Sequence, residues 1–356
     1  MEGINQQNMD TESLRARLLE GLVIPACPLP LNENRTWSEQ HQRAIARYYI
    51  ASQAGGIAVG VHTTQFNIRD PKIGLLEPVL ELMSEEIDAV DRNLIAKVAG
   101  ICGQKHQAVK EAEAASRFGY HAGLLSLAAL KGQAESAVID HCRTISQIIP
   151  VIGFYLQPAV GGQVLSHRFW RQFAEIPNVV AIKIAPFDRY KTWDVVRAIL
   201  ETGRNDIAMY TGNDDNIIID LLTCFEGSVN GQRQQRFING GLLGQWAVWT
   251  NRAVKMLNEI EADRTQPQIP ARWLTENIAL TDANAAIFDS ANDFKGCIAG
   301  IMEVLRRVGL SPSAKCLDPR ENLSPGQADE LDRVMAAYPH LTDDEFVAEN
   351  LDAWLK

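Results

Sequence analysis

The sequence predicts an α/β fold, a closed (β/α)8 TIM barrel carrying a helical C-terminal region, and three observations point there. Short apolar runs alternate with longer amphipathic stretches from about residue 21 to residue 250. The runs lack polar alternation, which suits strands buried on both faces of a parallel sheet. The chain has 356 residues, room for one barrel of roughly 250 residues with additions. An open doubly wound sheet is the competing arrangement, but no GxGxxG follows the first run to support it.

Taken in order, residues 1–20 read as a polar N-terminal extension, 21–240 as the barrel, and 241–356 as the last barrel helix with a helical C-terminal region. The strand candidates are Gly21–Pro30, Gly56–His62, Leu94–Gly103, Gly123–Leu130, Val151–Pro158, Val179–Pro186, Ile207–Asn213 and Gly227–Gly231. Helix-like segments lie between them at Ser38–Gln53, Gln104–Phe118, Ala134–Gln147, Ser166–Glu175 and Thr192–Glu201, with Ser38 and Ser166 as N-cap candidates. Beyond residue 240, Trp246, Val248, Val254, Leu257 and Ile260 mark one long apolar helical face. The prolines of 265–272 (TQPQIPAR) indicate a connection. The last 36 residues hold nine Asp or Glu against two Lys or Arg, a pattern that predicts a solvated acidic helical surface.

Composition narrows the function. Hydrophobic residues make up 46% of the chain, which excludes disorder as its main state. A formal charge of −10 argues against a general grip on nucleic acid. Cys27, Cys102, Cys142, Cys224, Cys297 and Cys316 form no CxxC pair and read as reduced, scattered core thiols. The polar N-terminus lacks the apolar stretch of a secretory signal, and no window predicts a membrane span. A cytoplasmic enzyme is the expectation.

The chemistry centres on Lys183 within VVAIKIAPF, residues 179–187. Burial among Val180, Ile182, Ile184 and Ala185 disfavours the ammonium form and makes a neutral, nucleophilic amine available near pH 7. Imine formation with a carbonyl substrate requires such an amine. The plainer role is a strand-end lysine whose stem packs while its head reaches water. Tyr155 stands near the C-terminal end of the preceding strand, where barrel catalytic groups are found, and can carry protons to and from a carbinolamine. Its plainer role is a core tyrosine with an anchored hydroxyl. Thr63 and Thr64 close the second strand and offer hydroxyls and N–H groups to a carboxylate, or simply a turn. His62 beside them could titrate near neutrality or pack in the core.

Together, Thr-Thr after strand two, YxxP after strand five and an apolar-Ile-Lys strand about 28 residues on resemble the dihydrodipicolinate synthase/N-acetylneuraminate lyase family over roughly residues 20 to 235. The resemblance implies a barrel that forms a Schiff base between a lysine and a 2-oxo acid, usually pyruvate, without a cofactor or metal, in a homo-oligomer, dimer or tetramer. It gives Lys183 the imine, Tyr155 the proton shuttle, and Thr63 and Thr64 the carboxylate and relay. It places Gly212 and Asn213 of YTGND along the cavity, with His62, Gln65 and Val160 as further substrate-binding positions.

The departures carry information too. The family's GTTGE reads His62-Thr63-Thr64-Gln65-Phe66, and its TPYY-like segment reads Ser126-Leu127-Ala128-Ala129-Leu130, without the tyrosine that neighbouring subunits exchange. Val160 stands where the synthases place an arginine for the second substrate's carboxylate, which makes dihydrodipicolinate synthesis improbable. The run from Tyr155 to Gly162 is closer to the YxxPAxxG of the sialic acid lyase branch. Val160, Gly161, Gly162, Ala128, Ala129 and Gln65 would shape the pocket for the leaving half of the substrate. Asp214 and Asp215 read as helix-capping carboxylates more readily than as metal ligands, and Arg69, Arg233 and Arg236 as surface ion-pair partners. No P-loop or GxSxG appears. The expected function is a class I lyase or aldolase acting on a 2-oxo acid. The alternatives are a Schiff-base dehydratase or decarboxylase, or a non-catalytic barrel that binds 2-oxo acids.

Overall fold

The computed structural model describes residues 9–90 and 95–356. Helix α1 (Thr11–Leu19) opens the described chain, capped by the Asp10 carboxylate, which accepts from the Ser13 N–H at 2.7 Å. The residues read as a polar extension thus include a helix with two buried leucines. Its Leu14 and Leu18 are buried with the inward-facing residues at the N-terminal end of the barrel. Strand β1 (Val23–Pro25) follows, then α2 (Glu39–Ala51), β2 (Gly56–Val59), α3 (Leu76–Asp88), β3 (Ala96–Ile101), α4 (Lys105–Arg117) and β4 (Ala122–Leu125). Leu94, the first residue of the third strand candidate, lies outside the described residues. The alternation continues through α5 (Glu135–Ser146), β5 (Val151–Leu156), α6 (His167–Ala174), β6 (Val179–Ala185), α7 (Arg189–Thr202), β7 (Ala208–Thr211) and α8 (Ile217–Leu222).

The eighth barrel strand differs from expectation. Gly227–Gly231 belongs to an antiparallel hairpin, β8 (Phe225–Val229) and β9 (Gln232–Arg236), turned by Asn230-Gly231 with both φ values positive, at 51° and 76°. Its residues alternate in exposure and include the exposed pair Arg233–Glu226. The barrel strand is β10 (Gly240–Leu243), a fully buried GGLL. A Cβ on Gly240 would lie 2.3 Å from the Leu22 carbonyl oxygen, so close backbone approach, and not β propensity, selects this sequence. The parallel order is β1-β10-β7-β6-β5-β4-β3-β2, and an Ala26–Ala58 bridge closes the ring between β1 and β2. The expected (β/α)8 barrel is therefore present.

Helix starts follow their caps. Ser166 accepts from the Phe169 N–H at 3.0 Å, whereas the Ser38 hydroxyl turns to His41 Nδ1 at 2.8 Å. Asp188 accepts from the N–H groups of Tyr190 and Lys191, which starts α7 at Arg189, earlier than the apolar pattern indicates. Helix α9 (Thr250–Asp263) is the eighth barrel helix. The proline-bearing link then leads to α10 (Arg272–Ile287), α11 (Cys297–Arg307), α12 (Gln327–Ala337) and α13 (Asp344–Trp354). The acidic tail is not wholly solvated. Leu331, Val334, Val347 and Trp354 are buried, and Asp343 is a buried acceptor for the Tyr48 hydroxyl at 2.7 Å.

Arg69 is likewise no surface residue. Its guanidinium pairs with Glu111 of α4 at 3.0 Å and donates to the carbonyls of Gly60 and Gly100, tying the loop after β2 to the end of β3. Both side chains are under 10% exposed, at 9% and 7%. Removing one partner of such a pair strands a buried charge. Glu111→Gln should lower the unfolding free energy by about 3–5 kcal/mol in chemical denaturation. A loss under about 1 kcal/mol would show that the backbone carbonyls satisfy the guanidinium unaided.

Candidate active site

The strand pleat decides which side chains reach the barrel interior. On β6, Lys183 points inward with Ala181 and Ala185, while Ile182 and Ile184 pack against the outer helices. It is 9% exposed and lies beside a cavity at the C-terminal ends of the strands. Gly212 makes room for it, since a Cβ there would lie 2.6 Å from Lys183 Cε and 2.7 Å from Ala185 Cβ.

Residue for residue in register with Lys183 is Phe154, not Tyr155. The Lys183 Nζ sits 4.4 Å from the Phe154 ring centroid. Tyr155 faces the opposite way, into the layer between barrel and α6. There its ring lies 5.1 Å from that of Trp170, and its hydroxyl bonds both the N–H and the carbonyl of Leu165 at 3.3 Å. The outward parity of β5 is fixed by Gly153, where a Cβ would lie 2.6 Å from Phe173. Gly153 and Tyr155 fit the aromatic face of α6, which leaves Ile152, Phe154 and Leu156 to the interior. The barrel wall therefore separates the phenol expected to shuttle protons from the amine it was to serve.

The threonine pair is also reassigned. Thr64 is fully buried; its hydroxyl donates to the Cys27 carbonyl at 2.6 Å and accepts from the Gly60 and Val61 N–H groups. Thr63 does line the cavity, but its hydroxyl donates to the Ala26 carbonyl at 2.7 Å. A hydroxyl proton given to a carbonyl is not available to a carboxylate. Both side chains thus hold the turn after β2 against the end of β1. His62 lines the cavity beside them, and its imidazole is pushed down to about 4, by burial first and by Lys183 second. It is neutral near pH 7.

Of the remaining candidates, Val160 and Gly212 line the cavity, whereas Gln65 and Asn213 do not. The Gln65 Oε1 accepts from the Leu317 N–H at 2.5 Å, which fastens the C-terminal segment over the β2 loop. Asn213 accepts from the Phe187 N–H at 3.0 Å and donates to Asp220 at 2.9 Å. It thereby holds the loop after β6, where Phe187 has a φ of 53°. Gly161, Gly162, Ala128 and Ala129 are absent from the lining.

What the sequence reading missed is the carboxylate. Asp214 faces the cavity from the turn after β7 and caps no helix. Its Oδ1 accepts from the Gln245 N–H at 3.3 Å, and its backbone carbonyl is held by Asn284 of α10 at 2.7 Å. Burial pushes the carboxyl up to about 7, and the Lys183 charge works against that rise. The lysine mirrors it, lowered to about 8 by burial while Asp214 holds it up. The two groups titrate as a pair, and both change protonation near neutrality. Further unforeseen lining residues include Phe154, Gln157, Phe187 and, from the C-terminal region, Phe288, Phe294, Cys297 and Ile301. Among the described residues no group of three or more His, Cys, Asp or Glu is placed to hold a metal ion.

With this geometry in view, comparison with known proteins is informative. The model of the dihydrodipicolinate synthetase family matches residues 20–234. No curated protein matches by sequence. Among solved structures, the dihydrodipicolinate synthase of Oceanobacillus iheyensis superposes with a TM-score of 0.74 at 15% identity, over 93% of this chain and 99% of that one. The pyruvate complex of the Acinetobacter baumannii dihydrodipicolinate synthase gives 0.72 at 17% identity, over 89% and 98%. The N-acetylneuraminate lyase of Fusobacterium nucleatum gives 0.70 at 17%, over 90% and 99%. These likenesses establish a shared fold across almost the whole chain. With the family match covering more than half of the sequence, the chain belongs to the dihydrodipicolinate synthetase family.

Proposed function

We propose that this protein is a Schiff-base lyase or aldolase of 2-oxo acids in which Asp214 takes the proton-carrying part expected of Tyr155. The observation that carries the reading is that one lysine and one carboxylate line the same cavity, which is otherwise lined mainly by apolar groups. Desolvation keeps a fraction of Lys183 as free amine near pH 7, able to attack a ketone. The same desolvation keeps part of Asp214 protonated, so that it can deliver a proton to the departing carbinolamine oxygen. Once water is lost, the protonated imine draws electrons from the adjacent C–C bond. The ionised Asp214 then accepts the proton of the substrate hydroxyl as the aldehyde leaves, and water hydrolyses the remaining enamine after it gains a proton at carbon.

The substrate carboxylate would meet the turn after β2 at the N–H groups of His62 and Thr63, since those of Gly60, Val61, Thr64 and Gln65 are engaged within the turn. With His62 neutral, Lys183 is the one cationic side chain in the lining. The electron sink is the imine itself, so the proposed cycle calls on no metal or cofactor. A homo-oligomer, dimer or tetramer, belongs to the same proposal, as does a cytoplasmic setting, with which six unpaired cysteines agree. No described helix is long and apolar enough to cross a membrane. The displacement of Tyr155 also lends weight to a second reading, a barrel that binds 2-oxo acids without turning them over.

Borohydride trapping separates the two. With pyruvate, reduction should fix an adduct on Lys183, located by mass spectrometry, and Lys183→Ala should abolish it. Binding without an adduct, or an adduct on another residue, would overturn the lyase reading. The yield of trapping in the native protein should rise with pH through about 8, because attack needs the neutral amine.

Asp214→Asn should reduce cleavage by at least about 100-fold. It should also move the midpoint of that trapping curve to lower pH, since the carboxylate that stabilises the ammonium is gone. An unchanged midpoint would show that the two groups do not communicate.

A further inference from the structure

The cavity has two chemically distinct halves. At its inner end stand Lys183, His62 and Thr63, close to the strand tips. Its outer half is made by the last residue of β5, Leu156, and by elements beyond the strands: Val160 after β5, Phe187 after β6, and Phe288, Phe294 and Ile301 from the C-terminal region. Phe187 and Phe294 meet edge to face, with centroids 6.3 Å apart and planes at 73°. The polar side chains bordering this outer half are Asp214, Gln157 and Cys297, and the Cys297 thiol is pushed up by burial, so it stays neutral. No arginine lines the cavity among the described residues.

We propose that the outer half receives an aromatic group, so that the bond made or broken joins pyruvate to the carbonyl carbon of an aromatic aldehyde. The proposal rests on the imine reading above and adds the class of the second substrate. A polyhydroxylated aldehyde would bury several hydroxyls here with Gln157 as almost their sole partner beyond Asp214, and each unsatisfied hydroxyl is costly. An anionic aldehyde would find no arginine and, beyond the imine-forming Lys183, no lysine in the lining among the described residues. A flat ring instead gains apolar burial and edge contacts from the three phenylalanines of this half, Phe187, Phe288 and Phe294.

In the cleavage direction the substrate is a 4-hydroxy-4-aryl-2-oxobutanoate held as the Lys183 imine. The Asp214 carboxylate takes the C4 hydroxyl proton, the C4–O bond becomes a carbonyl, and the C3–C4 bond breaks with its electron pair passing to C3 and the iminium nitrogen. The aromatic aldehyde leaves. The enamine takes a proton at C3, and one water hydrolyses the imine to pyruvate and free lysine.

The test measures condensation of pyruvate with benzaldehyde and with glyceraldehyde, alongside borohydride trapping with pyruvate alone. The kcat/KM for benzaldehyde should exceed that for glyceraldehyde by roughly 30-fold, the advantage expected from burying one ring. Phe294→Ala should lower the benzaldehyde-to-glyceraldehyde ratio by roughly tenfold, whereas a general folding defect would lower both rates together and leave the ratio unchanged. Trapping on Lys183 with glyceraldehyde preferred, or with a ratio insensitive to Phe294→Ala, would overturn the aromatic assignment and leave the imine reading intact. Absence of trapping with pyruvate would overturn both.

Discussion

The structure is organised around the desolvation of a single amine. Lys183 lies on a strand buried on both faces, in a closed ring of strands, under a C-terminal region that contributes phenylalanine and isoleucine to the mouth. A cation in such a place is unfavourable, and the protein relieves it in two ways. It supplies the Phe154 ring face close to Nζ, and it keeps one carboxylate, Asp214, in the same cavity. Neither compensates fully, which leaves the lysine poised near neutrality instead of locked as ammonium. The surroundings serve this arrangement. Gly212 gives the side chain its space, and Asn284 and Gln245 hold the turn that carries Asp214.

The same constraint explains how the chain departs from the motifs it resembles. A carboxylate can move the protons expected of a phenol if burial brings its pKa toward neutrality, and an apolar mouth has that effect. In the proposed reaction the C-terminal region is therefore part of the chemistry. Its α10 holds the Asp214 backbone carbonyl through Asn284, and its Phe288, Phe294 and Ile301 line the same cavity as the carboxyl group. The threonines after β2, freed from contact with substrate, fasten that turn to β1 through the Ala26 and Cys27 carbonyls.

Much of this could be read in the sequence. The unbroken apolar runs locate seven of the eight barrel strands, and Lys183 stands out because a lysine in such a run has no solvent nearby. The eighth strand stayed hidden because GGLL is chosen for close packing, while the neighbouring hairpin carries the stronger β pattern. Tyr155 misled for a different reason. Chain spacing places it beside Lys183, but one step along a strand reverses the side chain, and that parity is set by Gly153 fitting Phe173 and Trp170. Asp214 was visible as a residue but not as a partner. Its effect depends on sharing a cavity with Phe288, Phe294 and Cys297, more than 70 residues away in sequence.

The central claim is that the free protein already holds Lys183 as a weakened base, before any substrate binds. Following the Nζ signal of isotopically labelled lysine by NMR across pH 6 to 11, with Lys183→Arg to assign it, measures this directly. The expected result is a midpoint near 8, well below the roughly 10.4 of an exposed lysine. A midpoint at or above the exposed value would contradict it, because an amine that stays fully charged cannot be the nucleophile that the proposed reaction requires.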